Sequence, residues 1–248
     1  MTADRFLEDR VALITGASRG IGYAVALEAA RAGAHVIAVA RTVGGLEALD
    51  DEIQKLGGSA TLVPLDLKDH AGIDRLGAAI FERWGRLDAL VGNAGLLGPI
   101  SPLGHIEPKT FDEVFSVNVT ANWRLIRSMD PLLKRSDAAR ALFISSGASS
   151  SCRAYWGLYA ASKAALEAMV RSYAAETQNS AIRVNLANPG ATRTKMRAQA
   201  MPGEDVTTLP TPQDIAPGLV AMLSPACTDT GGLYDARDRR VLDFNSPA

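Results

Sequence analysis

A glycine-broken turn, Thr15-Gly-Ala-Ser-Arg-Gly-Ile-Gly22, divides a short apolar run from a small-residue helix, and no other feature constrains the fold as much. The run before it, Arg10 to Thr15, carries β-branched residues and reads as a strand. Ile21 to Ala32 reads as a helix that Gly33 stops, and a second strand, His35 to Ala40, follows at once. The alternation continues with a helix around Leu46 to Leu56, a strand at Ala60 to Leu65, a helix at Gly72 to Trp84 and a strand at Leu87 to Val91. Beyond a loop come a long helix at about Lys109 to Lys134, a strand at Ala141 to Ser145 and a helix at about Trp156 to Gln178. A strand at Ile182 to Ala187, a late helix at Gln213 to Leu223 and a short strand around Leu233 complete the pattern.

Strands that are apolar on both faces and alternate with helices require a parallel sheet covered on both sides. Right-handed crossovers then give an α/β, three-layer, doubly wound Rossmann fold, expected here with seven strands, mostly or fully parallel. No repeat, low-complexity tract or linker divides the chain, so its 248 residues are expected to form a single domain. The longest stretch without a regular pattern is Ala191 to Pro212, which is expected to act as a lid over a substrate.

The charge balance excludes several classes of partner. A formal net charge of −1 gives no electrostatic case for nucleic acid or a membrane surface. Apolar runs fall far short of a bilayer span, and Met1 to Arg10 lacks the apolar core of a signal peptide, so a cytoplasmic protein is expected. Cys152 and Cys227 are too isolated for a disulfide framework, and His35, His70 and His105 show no metal-ligand spacing, so no metal is expected.

Placed where a strand turns into a helix, Gly16, Gly20 and Gly22 allow a pyrophosphate to approach the backbone, and the helix start offers it free N–H groups. A nicotinamide dinucleotide is therefore expected. An acidic residue at the end of the second strand would select NAD(H). Here Ala40 is followed by Arg41, and Arg19 lies in the glycine loop. Two guanidiniums near the adenosine ribose suit a 2′-phosphate, so NADP(H) is favoured over NAD(H).

Tyr159 and Lys163 stand four apart in an Ala-rich run, one helical turn from each other on one face. A neighbouring ammonium favours the phenolate and should lower the tyrosine pKa toward the range of efficient proton transfer. An ordinary exposed helix pair is the alternative for these two residues alone.

With these residues the chain resembles the short-chain dehydrogenase/reductase family in its short, single-domain form, over essentially residues 9 to 235. The motifs are the Thr15–Gly22 loop, Asp66-Leu67, Asn93-Ala94-Gly95, Asn118, Ser146 placed thirteen residues before Tyr159, the Tyr159/Lys163 pair and Pro189-Gly190. The resemblance implies that Tyr159 exchanges a proton with the substrate oxygen while Ser146 hydrogen-bonds that oxygen. It implies that Lys163 lowers the tyrosine pKa and holds the nicotinamide ribose, and that Asn118 anchors a relay water. Ser145 could be confused with Ser146, and the spacing decides for the latter. Dinucleotide contacts are implied for Gly16, Ser18, Arg19, Gly20, Ile21, Gly22, Arg41, Asp66, Leu67, Asn93, Ala94, Gly95, Tyr159, Lys163, Pro189, Gly190, Thr192 and Thr194. A narrower resemblance, carried by segments such as Trp156 to Lys163 and Asn188 to Arg197, is to a bacterial subgroup of oxidoreductases without a known substrate.

The implied partner is a small carbonyl or alcohol compound, and the implied assembly a homodimer or homotetramer. Two departures from the family pattern stand out. Gly92 replaces the first asparagine of the usual Asn-Asn-Ala-Gly, which should alter a local contact only. The run from Tyr234 to Arg240 differs from the usual Asp-Gly-Gly ending, which makes a tetramer less secure than a dimer, and Asp235 to Arg240 is expected to be solvated. Around the expected pocket, Arg153, Arg193 and Arg197 could pair a substrate carboxylate, sit in water or meet the cofactor phosphate. A dinucleotide-binding regulator without turnover, or an epimerase or dehydratase on the same scaffold, are the competing functions.

Overall fold

The computed structural model describes residues 5–244; the first four residues of the amino-terminal segment and the last four of the chain lie outside the described residues. Strands β1 (Val11–Thr15), β2 (His35–Ala40), β3 (Ser59–Pro64), β4 (Ala89–Gly92), β5 (Arg140–Ile144), β6 (Arg183–Asn188), β7 (Leu233–Asp235) and β8 (Arg240–Leu242) form one sheet in the order 3-2-1-4-5-6-7-8. The first seven pair in parallel, and β8 runs antiparallel to β7. Every residue of β1 and β5 is buried, as continuous apolar strands under two helical layers must be.

Connections run one way from β1 to β3 and the other way from β4 onward, so a crevice opens between the carboxyl ends of β1 and β4. Helix α1 (Gly20–Arg31) follows β1 and turns Gly22, Ala24, Val25, Ala26, Ala29 and Ala30 inward; such small residues let it lie close to the sheet. Helix α2 (Val43–Lys55) follows β2. Helix α3 (His70–Trp84) begins where the Asp69 carboxylate accepts from the Gly72 amide and ends at left-handed Gly85. Helix α9 (Pro212–Ala221) opens with a reciprocal Thr211/Asp214 capping box and packs against α1.

The structure corrects the sequence reading in two places. The sheet has eight strands rather than seven, because the charged run after β7 turns back on itself. Asp235 is buried, with Oδ1 accepting from the Arg237 amide at 2.9 Å and Oδ2 from the Arg237 guanidinium at 2.7 Å. Arg239 takes the left-handed backbone region, and β8 closes the hairpin with Val241 packed against the core. Only the turn of the run is solvated. The expected long helix is three pieces: α4 (Pro108–Phe115), a π-helical turn at Ser116–Thr120, and α5 (Ala121–Leu133). The extra residue in a π turn redirects side chains, and here it carries Asn118.

Candidate active site

The glycine loop is built against the segment after β4. Gly16 has φ +67, and a Cβ there would stand 2.8 Å from Asn93 Nδ2. A Cβ on Gly22 would lie about as close, 2.4 Å, to both Asn93 Nδ2 and the Gly16 carbonyl oxygen. Asn93 explains this tight packing: its Nδ2 donates to the Thr15 carbonyl at 2.7 Å, while its amide and that of Ala94 donate to Thr15 Oγ1 at 2.9 and 3.0 Å. The cradle therefore has bare backbone where a phosphate would approach, held by a side chain from the next strand. Arg19 is exposed, with Ser18, Gly20 and Ile21 half-buried beside it. Thr194 reaches the same loop from the opposite side, since a Cβ on Gly20 would lie 3.7 Å from its Cγ2.

At the end of β2, Arg41 is exposed and its Nη1 lies 3.9 Å from Asp66 Oδ2, both side chains being about half accessible. A pair so open contributes at most about 1 kcal/mol, so the guanidinium is free to turn toward a phosphate. Leu67 is buried beside Asp66. A cleft of about 380 Å³ runs from Arg41 past Leu96 and Gly98 to Glu113 and Gln199. The cradle, the two arginines and this cleft fit a phosphorylated nicotinamide dinucleotide.

Beyond the one-turn helix α6 (Ala148–Ser151), helix α7 (Gly157–Glu176) brings Tyr159 and Lys163 beneath the crevice, where both are buried. The exposed-pair alternative is thereby removed. Burial pushes the Tyr159 phenol up to about 12, and the Ser146 hydroxyl against it pulls the other way. The expected lowering by Lys163 does not occur in this arrangement. Lys163 Nζ donates to the Ile144 carbonyl at 2.7 Å and stands 5.8 Å from the Tyr159 ring centroid. Burial lowers the lysine to about 8.

Asn118 is fully buried, and its side chain is committed to protein groups. Oδ1 accepts from the Leu96 amide at 2.7 Å, and Nδ2 donates to the Leu96 carbonyl at 2.8 Å and to Ser162 Oγ at 2.9 Å. Ser162 Oγ in turn donates to the Tyr159 carbonyl at 2.8 Å. The side chain thus ties the segment after β4 to α7, while the Asn118 main-chain carbonyl accepts from Asn122 Nδ2 at 2.9 Å. Phe143 and Asn122 fill the space that Gly92 leaves: a Cβ on Gly92 would fall 2.3 Å from Phe143 Cδ1 and 2.5 Å from Asn122 Oδ1. Gly95 sits between these parts, with a built Cβ 3.4 Å from Asn118 Oδ1 and 3.6 Å from Lys163 Nζ.

At the end of β6, Asn188 Oδ1 accepts from the amides of Gly147 and Gly190 at 3.2 and 3.1 Å, joining the Ser146 loop to Pro189-Gly190. Thr192 is buried, its hydroxyl donating to the Pro189 carbonyl at 3.1 Å. The segment beyond is more regular than its sequence implies, for it contains α8 (Lys195–Ala200), capped by Thr194. Arg197 makes two hydrogen bonds of 2.5 Å to Glu204, and Arg193 donates to the Thr207 and Leu209 carbonyls at 3.1 Å each. Arg193 and Arg197 thus hold their own segment, while Arg153 is exposed. Sequence reasoning passed over Ser162, Asn122 and Asn188. A serine inside an Ala-rich helix and an asparagine four residues after Asn118 were the available signals for the first two.

The chain belongs to the short chain dehydrogenase family, whose profile matches residues 10–205. It is 41% identical over 238 residues to YciK, an uncharacterized oxidoreductase of Escherichia coli K12, with 94% of each chain covered. A short chain dehydrogenase from Shigella flexneri 2a complexed with NADP superposes with a TM-score of 0.90 at 39% identity, covering 94% of this chain and 99% of that one. One from Escherichia coli CFT073 complexed with NADPH gives a TM-score of 0.87 at 39% identity, with the same coverage. Among the described residues no group of His, Cys, Asp or Glu could hold a metal ion, and no helix is long and apolar enough to cross a membrane.

Proposed function

We propose that this protein transfers a hydride between NADP(H) and a carbonyl or secondary alcohol, with Tyr159 as the general acid and base. The observation that carries this reading is the convergence of the glycine cradle, Ser146, Tyr159 and Lys163 on one crevice. Bound there, the nicotinamide supplies or receives the hydride. Ser146 orients the substrate oxygen by a hydrogen bond that strengthens as charge develops on it. Tyr159 holds the proton that this oxygen takes up in reduction and receives it back in oxidation. Turning Lys163 Nζ from the Ile144 carbonyl toward the cleft brings its charge nearer the phenol, which favours the phenolate and allows it to bind ribose hydroxyls.

Arg41 and Arg19 give the preference for NADP(H), a reading supported by the NADP and NADPH in the two structural relatives. Cytoplasmic residence follows from the sequence reading as part of the same proposal. The test is loss of NADPH absorbance against ketones, aldehydes and quinones, with Tyr159→Phe as the comparison. Turnover that falls by about 10²- to 10⁴-fold in the variant is expected. Full activity in Tyr159→Phe would overturn the assignment.

A further inference from the structure

Helix α7 carries a third polar residue on the Tyr159/Lys163 face. Glu167 follows Lys163 by four residues, one turn further along. Its Oε1 accepts from Ser145 Oγ at 2.5 Å and from Ser149 Oγ at 2.7 Å. These serines bracket Ser146. Ser145 is buried, with its amide donating to the Ala187 carbonyl at 2.7 Å, so the residue is held by its backbone from β6 and by its hydroxyl from α7. Ser149 Oγ lies 2.8 Å from the Ser146 carbonyl oxygen as well as 2.7 Å from Glu167, so its single proton is shared between them.

We propose that Glu167 is a positioning residue for hydride transfer: one carboxylate oxygen fixes the Ser146 turn through both flanking serines, and its charge faces Lys163 along the helix. This rests on the proposed function, because it assigns Ser146 and Lys163 the roles given there. Around Lys163, the described elements present one charged side chain, Glu167, which favours the ammonium. The remaining neighbours are the Ile144 carbonyl from β5, Asn118 across Gly95, and the Tyr159 phenol, itself titratable but protonated until about pH 12. A neutral residue at 167 therefore removes the charge that opposes desolvation of the ammonium, and Lys163 should lose its proton at lower pH.

Two variants separate the two effects. Glu167→Gln keeps an oxygen for both serine hydroxyls and removes the charge; Glu167→Ala removes both. The Lys163 Nζ titration, followed by NMR of ¹⁵N-lysine-labelled protein and assigned by loss of the signal in Lys163→Met, needs no substrate. Its midpoint is expected to fall in Glu167→Gln, with the alkaline limb of kcat/KM moving the same way. Glu167→Ala is expected to lose a further factor of about 10 to 100 in kcat, measured on the folded protein, as misplacement of a reacting group does. If Glu167→Ala does not fold, the Ser145→Ala/Ser149→Ala pair must show the kcat loss instead. An unmoved Lys163 midpoint, or full kcat without the serine contacts, overturns the proposal. Absence of turnover in the unmodified protein on every carbonyl compound would count against the proposed function alone, leaving the Lys163 titration to decide this one.

Discussion

Lys163 is a cation held where water cannot reach it, and burial costs the fold more than its one hydrogen bond returns. The proton is lost at about pH 8 in the folded protein and near the ordinary 10.5 in the unfolded chain. Between those values the unfolded state binds more protons, so this residue's contribution makes stability rise as pH increases from about 8 to 10.5 and is unfavourable below. Lys163→Met should therefore melt higher than the unmodified protein at pH 7 while losing turnover, which a thermal scan beside the NADPH assay would check. An equal or lower Tm would mean that the Ile144 contact outweighs desolvation. Arg41 is the opposite case, an exposed charge with a weak partner. Arg41→Ala should weaken NADPH binding by about ten- to a hundredfold, the worth of one charge-assisted contact, and leave NADH binding nearly unchanged. Preference of the unmodified protein for NADH in the same titration would defeat the 2′-phosphate reading.

At the scale of elements, the turn between β1 and α1 works because it has no side chains where Asn93 lies. Gly22→Ala would press a methyl group to within 2.4 Å of both Asn93 Nδ2 and the Gly16 carbonyl oxygen. Overpacking of this kind costs about 1–3 kcal/mol, and the displaced loop should lose NADPH affinity out of proportion to that cost. Denaturant unfolding and NADPH titration of one variant measure both. The segment from 191 to 212 is bound internally by Arg193 and Arg197, so it should move as a unit rather than as a loose loop. Protection of its peptide bonds from proteolysis by NADP is the expected sign of closure, and unchanged cleavage would count against a lid. With Arg193 and Arg197 occupied, the residues packed with Tyr159 are apolar: Leu97, Ala148, Ala160, Trp156 and Met196. Neutral ketones and aldehydes should be turned over in preference to keto acids of similar size.

Across the whole molecule, the end of the sheet opposite the crevice is fastened by one buried carboxylate. Asp88 accepts from the Val11 amide at 2.9 Å, Ser136 Oγ at 2.6 Å, Arg86 Nε at 3.1 Å and Arg10 Nη1 at 3.3 Å, joining β1 and the segments before β4 and β5. Asp88→Ala leaves the Val11 amide and the Ser136 hydroxyl without their acceptor, whereas Arg10 keeps Asp137 and Arg86 keeps the Asp9 carbonyl; it should cost about 1–3 kcal/mol in urea unfolding, with NADPH affinity of the folded protein kept. At the far edge, β8 covers β7 and presents Arg237, Asp238, Arg239 and Arg240 at its turn, all exposed. Charges at a sheet edge oppose further strand pairing. Light scattering should accordingly give a particle of two chains rather than four.

Much of this protein was written in the order of its residues. The strand and helix alternation, the glycine turn, and the Tyr159/Lys163 spacing are local signals, because a period of two or 3.6 and a four-residue offset depend only on near neighbours. So the doubly wound sheet could be read directly, and so could the residues that meet at its crevice. What the tertiary structure decided concerns partners that are distant in the chain. The π turn at Asn118 exists to reach Leu96 and Ser162, and the buried Asp235 draws an eighth strand out of a run that reads as solvated. Arg197 finds Glu204 before it can find a substrate. Lys163 turns to Ile144 and leaves the phenol high. Each of these outcomes depends on burial and on which polar group lies nearest in space, and the sequence alone specifies neither.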